Sequence, residues 1–358
     1  MTNSLGKFSE LSSVAQTAYS QLLESALAVE HSRTVADLPG SFAGKTVKGK
    51  QYWYYQYTEP SGRLRQQYVG PDSAPVRELM ARKSSTPVTD ALLPMARSAM
   101  ALGCTGLLTR HYQVIRRLAD YGFFHAGGTL IGTHAFLAYG NMLGVNWGSA
   151  ARTQDIDFAH PGKNVSLLLA PDFDVHVHEA IESLGMGLLP VASLASAQGA
   201  SYLNPREPDF RLDFLTVRHR GGDAPYEHPQ LHITLQPLKF MEFSLENIQQ
   251  SALMSTAGVV IANVPHPARF ALHKLIVYGE RAGTFAAKAN KDLAQAASLL
   301  AALKAHRAWE VEEAWADLAA RGKGWLARGR QGLAALDRFA PHLEVGAWLD
   351  AKAKRKSR

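Results

Sequence analysis

Arg152-Thr153-Gln154-Asp155-Ile156-Asp157-Phe158 is the stretch from which the rest of the chain is best read. Acid and apolar residues alternate in it, and side chains two apart on an extended strand share a face. Asp155 and Asp157 therefore project together while Ile156 and Phe158 turn to the core. Two carboxylates side by side repel unless something positive sits between them, and a divalent cation is the usual partner. Arg152 is placed either to meet a phosphate or to pair with a nearby acid. Thr153 either donates to the adjoining carboxylate or is an ordinary strand residue. His160, just beyond, reads as an edge histidine or as a nucleotide contact.

Upstream, the apolar run Phe123–Ile131 closes on Gly132-Thr133, and helical spacing follows from His134 to Leu143. A strand-to-helix turn of this kind offers free amide groups and the positive end of a helix dipole to a phosphate. Downstream, Asp209–Val217 alternates again, with Asp213 polar between Leu212 and Phe214. Arg211, two residues earlier, is placed for a local ion pair. A third carboxylate beside the first two would complete a site for two divalent metals, roughly 3.5–4 Å apart. A helix is predicted over 172–184 and a strand over 187–192. Interleaved strands and helices make the core mixed α/β.

From Pro267 onward the pattern is almost wholly helical, near 267–281, 285–304, 308–320 and 325–340. Lys274 and Arg281 lie seven apart, hence on one helix face. Lys288, Lys291 and Asp292 are neighbours on the next helix. A solvated charged face is the alternative for all five.

The N-terminal part begins with helical spacing from Phe8 to about His31, broken by a Gly- and Lys-containing stretch, 39–50. Two β-prone runs follow, Gln51–Tyr57 and Arg63–Pro71, joined by Glu59-Pro60-Ser61-Gly62, and predict a β-hairpin. Tyr52, Tyr54 and Gln56 fall on one face, and Trp53, Tyr55 and Tyr57 on the other. Trp53 and Tyr55 with Arg63 and Arg65 combine stacking rings with phosphate-seeking cations. The alternative is a small aromatic hairpin stabilised by its own cross-strand pairs. A short helix over 73–83 and a longer helical region from Thr89 through Leu118 complete this part.

With 46% hydrophobic and 19% charged residues, the chain reads as an ordinary globular protein. No apolar run approaches the roughly 18 residues needed to span a bilayer. The opening residues lack a signal-peptide pattern, so a cytoplasmic location is expected. One cysteine, Cys104, excludes an internal disulfide and argues against thiolate zinc sites. Five of the seven net positive charges sit in the last eight residues, a run expected to be a solvated tail, with contact to nucleic acid as the alternative. His176 and His178 lie two apart in a predicted helix and face different ways, which excludes a zinc pair. No Gly-x-Ser-x-Gly elbow is present, and Gly44-Lys45-Thr46 lacks the upstream glycine of a Walker loop.

Taken together, Gly132-Thr133, Asp155-Ile156-Asp157 and Asp213 resemble the signature of the polymerase β-type nucleotidyltransferase superfamily. Ile131–Phe136 followed by Arg152–Asp157 is similar to the branch near the abortive-infection (AbiEii) and MenT-type toxin nucleotidyltransferases, and within it to a bacterial nucleotidyltransferase-fold family. Tyr68–Pro71 and Val264–Leu275 also look typical of that family. The likeness covers roughly residues 50–305. It implies an α+β fold: a nucleotidyltransferase core over 101–265, an N-terminal helix and hairpin extension over 1–100, a C-terminal helical bundle over 266–345 and a basic tail over 346–358.

The resemblance further implies two Mg²⁺ or Mn²⁺ ions on Asp155, Asp157 and Asp213. It places NTP phosphates near Gly132, Thr133, Arg152, Lys274, Arg281, Lys288, Lys291 and Asp292. The reaction it implies moves a nucleoside monophosphate from an NTP to a hydroxyl of RNA (such as tRNA) or protein, in a toxin-like manner with or without an antitoxin partner. A nucleotide-binding regulatory module without transfer and an antibiotic-type small-molecule nucleotidyltransferase are the alternatives. The aromatic-basic hairpin is the feature suited to a polymeric acceptor.

Overall fold

The computed structural model describes residues 8–31, 40–58, 64–84, 88–148, 153–162, 175–191, 199–218, 222–278 and 286–356. Strand β1 (Ser9–Glu10) leads into helix α1 (Ser13–His31), whose first turn is capped by the Ser12 hydroxyl accepting from the Ala15 amide at 3.2 Å. α1 buries Ala15, Tyr19, Leu22 and Ala26, a stripe at helical spacing. Next come β2 (Ser41–Val47), β3 (Lys50–Thr58) and β4 (Leu64–Pro71), which form an antiparallel three-stranded meander in that order. The expected hairpin thus has a third strand, built from the stretch read as a break. Lys48 and Gly49, with φ 51 and φ 75, make the two-residue turn between β2 and β3.

Helices α2 (Ala74–Ser84), α3 (Val88–Ala101) and α4 (Thr109–Asp120) follow. The single helical region expected from Thr89 to Leu118 is therefore two helices. Gly103, at φ +107, ends the first, and both backbone groups of Thr105 are held by the Asn141 carboxamide at 2.8 and 2.9 Å. α1 and α3 close a second, smaller core with Ala252, Met254, Val259 and Ile261.

The principal sheet takes β5 (Thr129–Ile131), which runs into α5 (Gly132–Leu143) and the short β6 (Val145–Asn146), and then β7 (Ile156–His160). After α6 (Val177–Glu182) come β8 (Leu189–Pro190), β9 (Ser201–Asn204), β10 (Glu207–Val217), β11 (Tyr226–His228) and β12 (Ile233–Leu238). The strand order is β11-β12-β10-β7-β5, with β9 on β10 and β8 on β9. β10 runs parallel to β7 and β12, and the remaining pairs are antiparallel. The expected helix over 172–184 is confined to α6, with 172–174 outside the described residues. The strand expected over 187–192 shrinks to β8, and residue 192 also lies outside the described set.

The alternation read from the sequence sets the two faces of the sheet. Ile156, Phe158, Leu212 and Phe214 are fully buried, and Phe158 stacks on Phe214 with centroids 5.2 Å apart. Burying each such ring contributes roughly 1.5–3 kcal/mol. His160 is also buried. Its Nε2 lies 2.7 Å from the Ala126 carbonyl, so it is a core residue rather than the edge histidine expected.

The short α7 (Met241–Leu245) and the hairpin β13 (Ile248–Ser255) and β14 (Gly258–Pro265) link the sheet to the helices α8 (Pro267–Tyr278), α9 (Ala286–His306), α10 (Ala308–Ala320) and α11 (Lys323–Phe339). The helix α12 (Val345–Lys356), with Val345 and Leu349 buried, carries the chain into the basic C-terminal run, whose side chains from 352 on lie outside the described residues. No described helix is long and apolar enough to cross a membrane.

Candidate nucleotide site

One rung of the sheet carries the central residues. Ile131, Asp157, Asp213 and Ser201 are register partners across β5, β7, β10 and β9. Neighbours in register point to the same face, so Asp157 and Asp213 stand side by side. Asp155 precedes β7 on that face, and its carboxylate accepts from the Thr153 hydroxyl.

The chain leaves β5 through Gly132 at φ +62, and a Cβ there would stand 1.9 Å from Asp157 Oδ2. Only glycine permits this approach, which brings the start of α5 against the Asp157 carboxylate. Thr133 is buried, and its hydroxyl accepts from Gln295 Nε2 at 3.3 Å, tying α9 to the start of α5. One turn earlier on α9, Lys291 reaches the Thr153 hydroxyl at 3.4 Å. Lys274 on α8 pairs with the buried Asp292 at 2.6 Å.

Burial and the charge of Asp155 push the Asp157 carboxyl up to about 6, against the pull of Lys288; Asp213 adds to the rise and Lys274 opposes it. Burial acts in the same upward direction on Asp155, but the Thr153 hydroxyl and the Lys291 and Lys288 ammonium groups hold it below the usual carboxylate value.

Asp213 is engaged on one oxygen. Oδ1 accepts from Ser201 at 2.5 Å and from Arg211 at 2.7 Å, the local ion pair expected of Arg211. Among the described residues, no group of three or more His, Cys, Asp or Glu is gathered so as to hold a metal ion as it stands. The donor chemistry nonetheless fits a hard divalent cation. It is oxygen-only, it joins two neighbouring carboxylates to a third on the next strand, and it contains in Asp157 a buried acid crowded by like charge.

Two cavities flank the acids. The smaller, about 120 Å³, is lined by Gly132, Asp157, Lys274, Lys288 and Asp292 together with apolar residues of β10, α7 and α8. The larger, about 890 Å³, is bordered by Asp155, Thr153, Arg211, Lys291, His111 and His134. Gly132, Asp155, Asp157, Lys274, Lys288, Lys291 and Asp292 are thus brought together, and Thr133 adjoins them. Arg152, Arg281 and Arg63 lie outside the described residues, as does the side chain of Arg65.

Trp53 and Tyr55 line neither cavity, and Tyr55 is fully buried against Phe42, so it cannot stack on an acceptor. The sequence reading missed Ser201, Gln295 and the buried pair His111–His134, whose nitrogens stand 3.0 Å apart. Gln295 alone carried a signal, lying four residues after Lys291 on the same helix face.

A mixed sheet with paired acids on adjacent strands, beneath a glycine-led helix and beside a lysine-bearing helix pair, belongs to the nucleotide-handling α/β proteins. A nucleotidyltransferase family matches residues 109–320, from the first residue of α4 to the last of α10. The chain belongs to this family and is a nucleotidyltransferase. It is also similar to an antigenic nucleotidyltransferase-like protein from Paracoccidioides brasiliensis, at 12% identity over 63% of this chain and 95% of that one, with a TM-score of 0.29. No curated protein matches the chain.

Proposed function

We propose that the enzyme moves a nucleoside monophosphate from an NTP to an acceptor hydroxyl, with Asp155, Asp157 and Asp213 holding Mg²⁺ or Mn²⁺. The observation that carries this is the shared rung of Asp157 and Asp213, with Gly132 at the start of α5 close against the Asp157 carboxylate. A divalent ion, when bound, supplies positive charge to the triphosphate and acidifies the acceptor hydroxyl.

The small cavity beside Gly132 takes the triphosphate, where the amides at 132 and 133 donate to phosphate oxygens. Lys274, Lys288 and Lys291 offset charge on the leaving pyrophosphate, and Asp292 positions Lys274. The larger groove on the Asp155 side admits the acceptor. There the hydroxyl oxygen bonds to the α-phosphorus, the bond to pyrophosphate breaks, and the proton passes to Asp213. The likeness of the Ile131–Phe136 and Arg152–Asp157 motifs to toxin-type enzymes favours RNA or protein as acceptor.

The test is incubation with labelled NTPs, Mg²⁺ or Mn²⁺ and total RNA or lysate. Label should enter an acceptor, and Asp157→Ala should abolish its entry. Full transfer by that variant, or no transfer by the wild type to any acceptor, would sink the proposal.

A further inference from the structure

We infer that the exposed face of the β2–β4 meander is a docking surface for single-stranded RNA. This deepens the proposed function by naming the class of acceptor-bearing partner. The meander lies outside the matched family region, so the core fold does not account for it.

The two faces of the meander differ in kind. On one, Tyr55 is buried against the half-buried Phe42, Trp53 donates to Asp72, and Gly70 lies over Val76 of α2. The other gathers Tyr52, Tyr54, Tyr68, Lys45, Gln56 and Gln66. Tyr68 is 54% exposed, with ring centroids 5.5 Å from Tyr54 and 6.4 Å from Tyr52. Lys45 stands 4.7 Å over the Tyr54 ring and donates to Gln66, which in turn donates to Gln56. The result is a continuous strip of three rings and two carboxamides.

The charge of the meander is one-sided. Residues 40–58 and 64–71 contain Lys45, Lys48, Lys50 and Arg65 and no Asp or Glu. Lys45, Lys48 and Lys50 are all exposed. The exposed Tyr68 beside the half-buried Tyr52 and Tyr54, interleaved with cations, suits stacked bases and a phosphate backbone. The core of a protein interface, by contrast, is depleted of lysine. Phenol and carboxamide groups both donate and accept, which matches the 2′-hydroxyl and favours RNA over DNA.

The test uses the full chain without NTP or divalent ions, titrated into a fluorescent 20-nucleotide oligouridylate. The same-length oligothymidylate, duplex RNA and polyglutamate serve as competitors. Oligouridylate should bind best. Tyr68→Ala should weaken it roughly tenfold, while Tyr68→Trp should retain it. Lys45→Gln/Lys48→Gln/Lys50→Gln leaves the rings intact and should lower the salt slope by roughly 0.7 per lysine removed. Unchanged binding in both the ring and lysine variants, or competition by oligothymidylate, duplex or polyglutamate as strong as by RNA, would overturn the inference. Binding is read separately from transfer. Asp157→Asn should bind RNA like the wild type, so face-dependent binding without any nucleotidyl transfer would leave docking standing and remove only the transfer proposal.

Discussion

Replacing Gly132 with alanine puts a Cβ 1.9 Å from the Asp157 carboxylate and an L-residue at φ +62. The cost is roughly 1–3 kcal/mol, and either the carboxylate or the start of α5 must move. Gly132→Ala should therefore lower the melting temperature and also cut transfer, seen in a thermal scan beside a labelled-NTP assay. Asp157→Asn removes a buried like charge facing Asp155. We expect it to abolish transfer, by about a thousandfold or more, while leaving the metal-free protein at least as stable as wild type. Arg211 competes for Asp213 at 2.7 Å. Arg211→Ala should tighten Mg²⁺ binding to the nucleotide-free protein, measured by calorimetry, and unchanged or weaker binding would contradict that role.

At the scale of elements, α8 and α9 are joined beside the site by the Lys274–Asp292 pair, whose side chains are 13% and 5% exposed. Removing one partner of a buried pair costs about 3–5 kcal/mol, whereas replacing both with apolar residues is often neutral. Lys274→Met should accordingly destabilise the fold, and Lys274→Met/Asp292→Leu should restore denaturant stability without restoring transfer. Recovery of both would make the pair purely structural. The β2–β3 turn sets Lys48 at φ 51, a region that asparagine tolerates better than lysine. Lys48→Asn should stabilise the meander by roughly 0.5–1 kcal/mol, seen as slower amide exchange in β2 and β3.

Across the whole molecule, buried histidines set the response to acid. Burial and the neighbouring ring of His160 lower His228 to about 4, with His232 adding to the effect. Burial and Arg110 lower His111 to about 4, and burial and His111 lower His134 to about 3. A histidine with a depressed folded value binds protons more readily when unfolded, so stability is full above the ordinary value of 6.5 and falls as pH drops toward 4. Urea midpoints measured from pH 7.5 down to 4.5 should decline, and His228→Asn should flatten part of that slope. The sequence alone determined the Asp155-Ile156-Asp157 strand, the Gly132 turn, the Asp213 strand and the run of C-terminal helices. Each of these is written in local periodicity or in the conformational demand of one residue. Tertiary structure decided what local pattern cannot encode. It set the rung that aligns Asp157 with Asp213, the hydrogen bond from Ser201 to Asp213, and the burial of Tyr55. It also decided the third meander strand, hidden because Lys48-Gly49 reads as a break until a partner strand supplies its hydrogen bonds. Register and burial depend on contacts between residues distant in the chain, so they exist only once the sheet has formed.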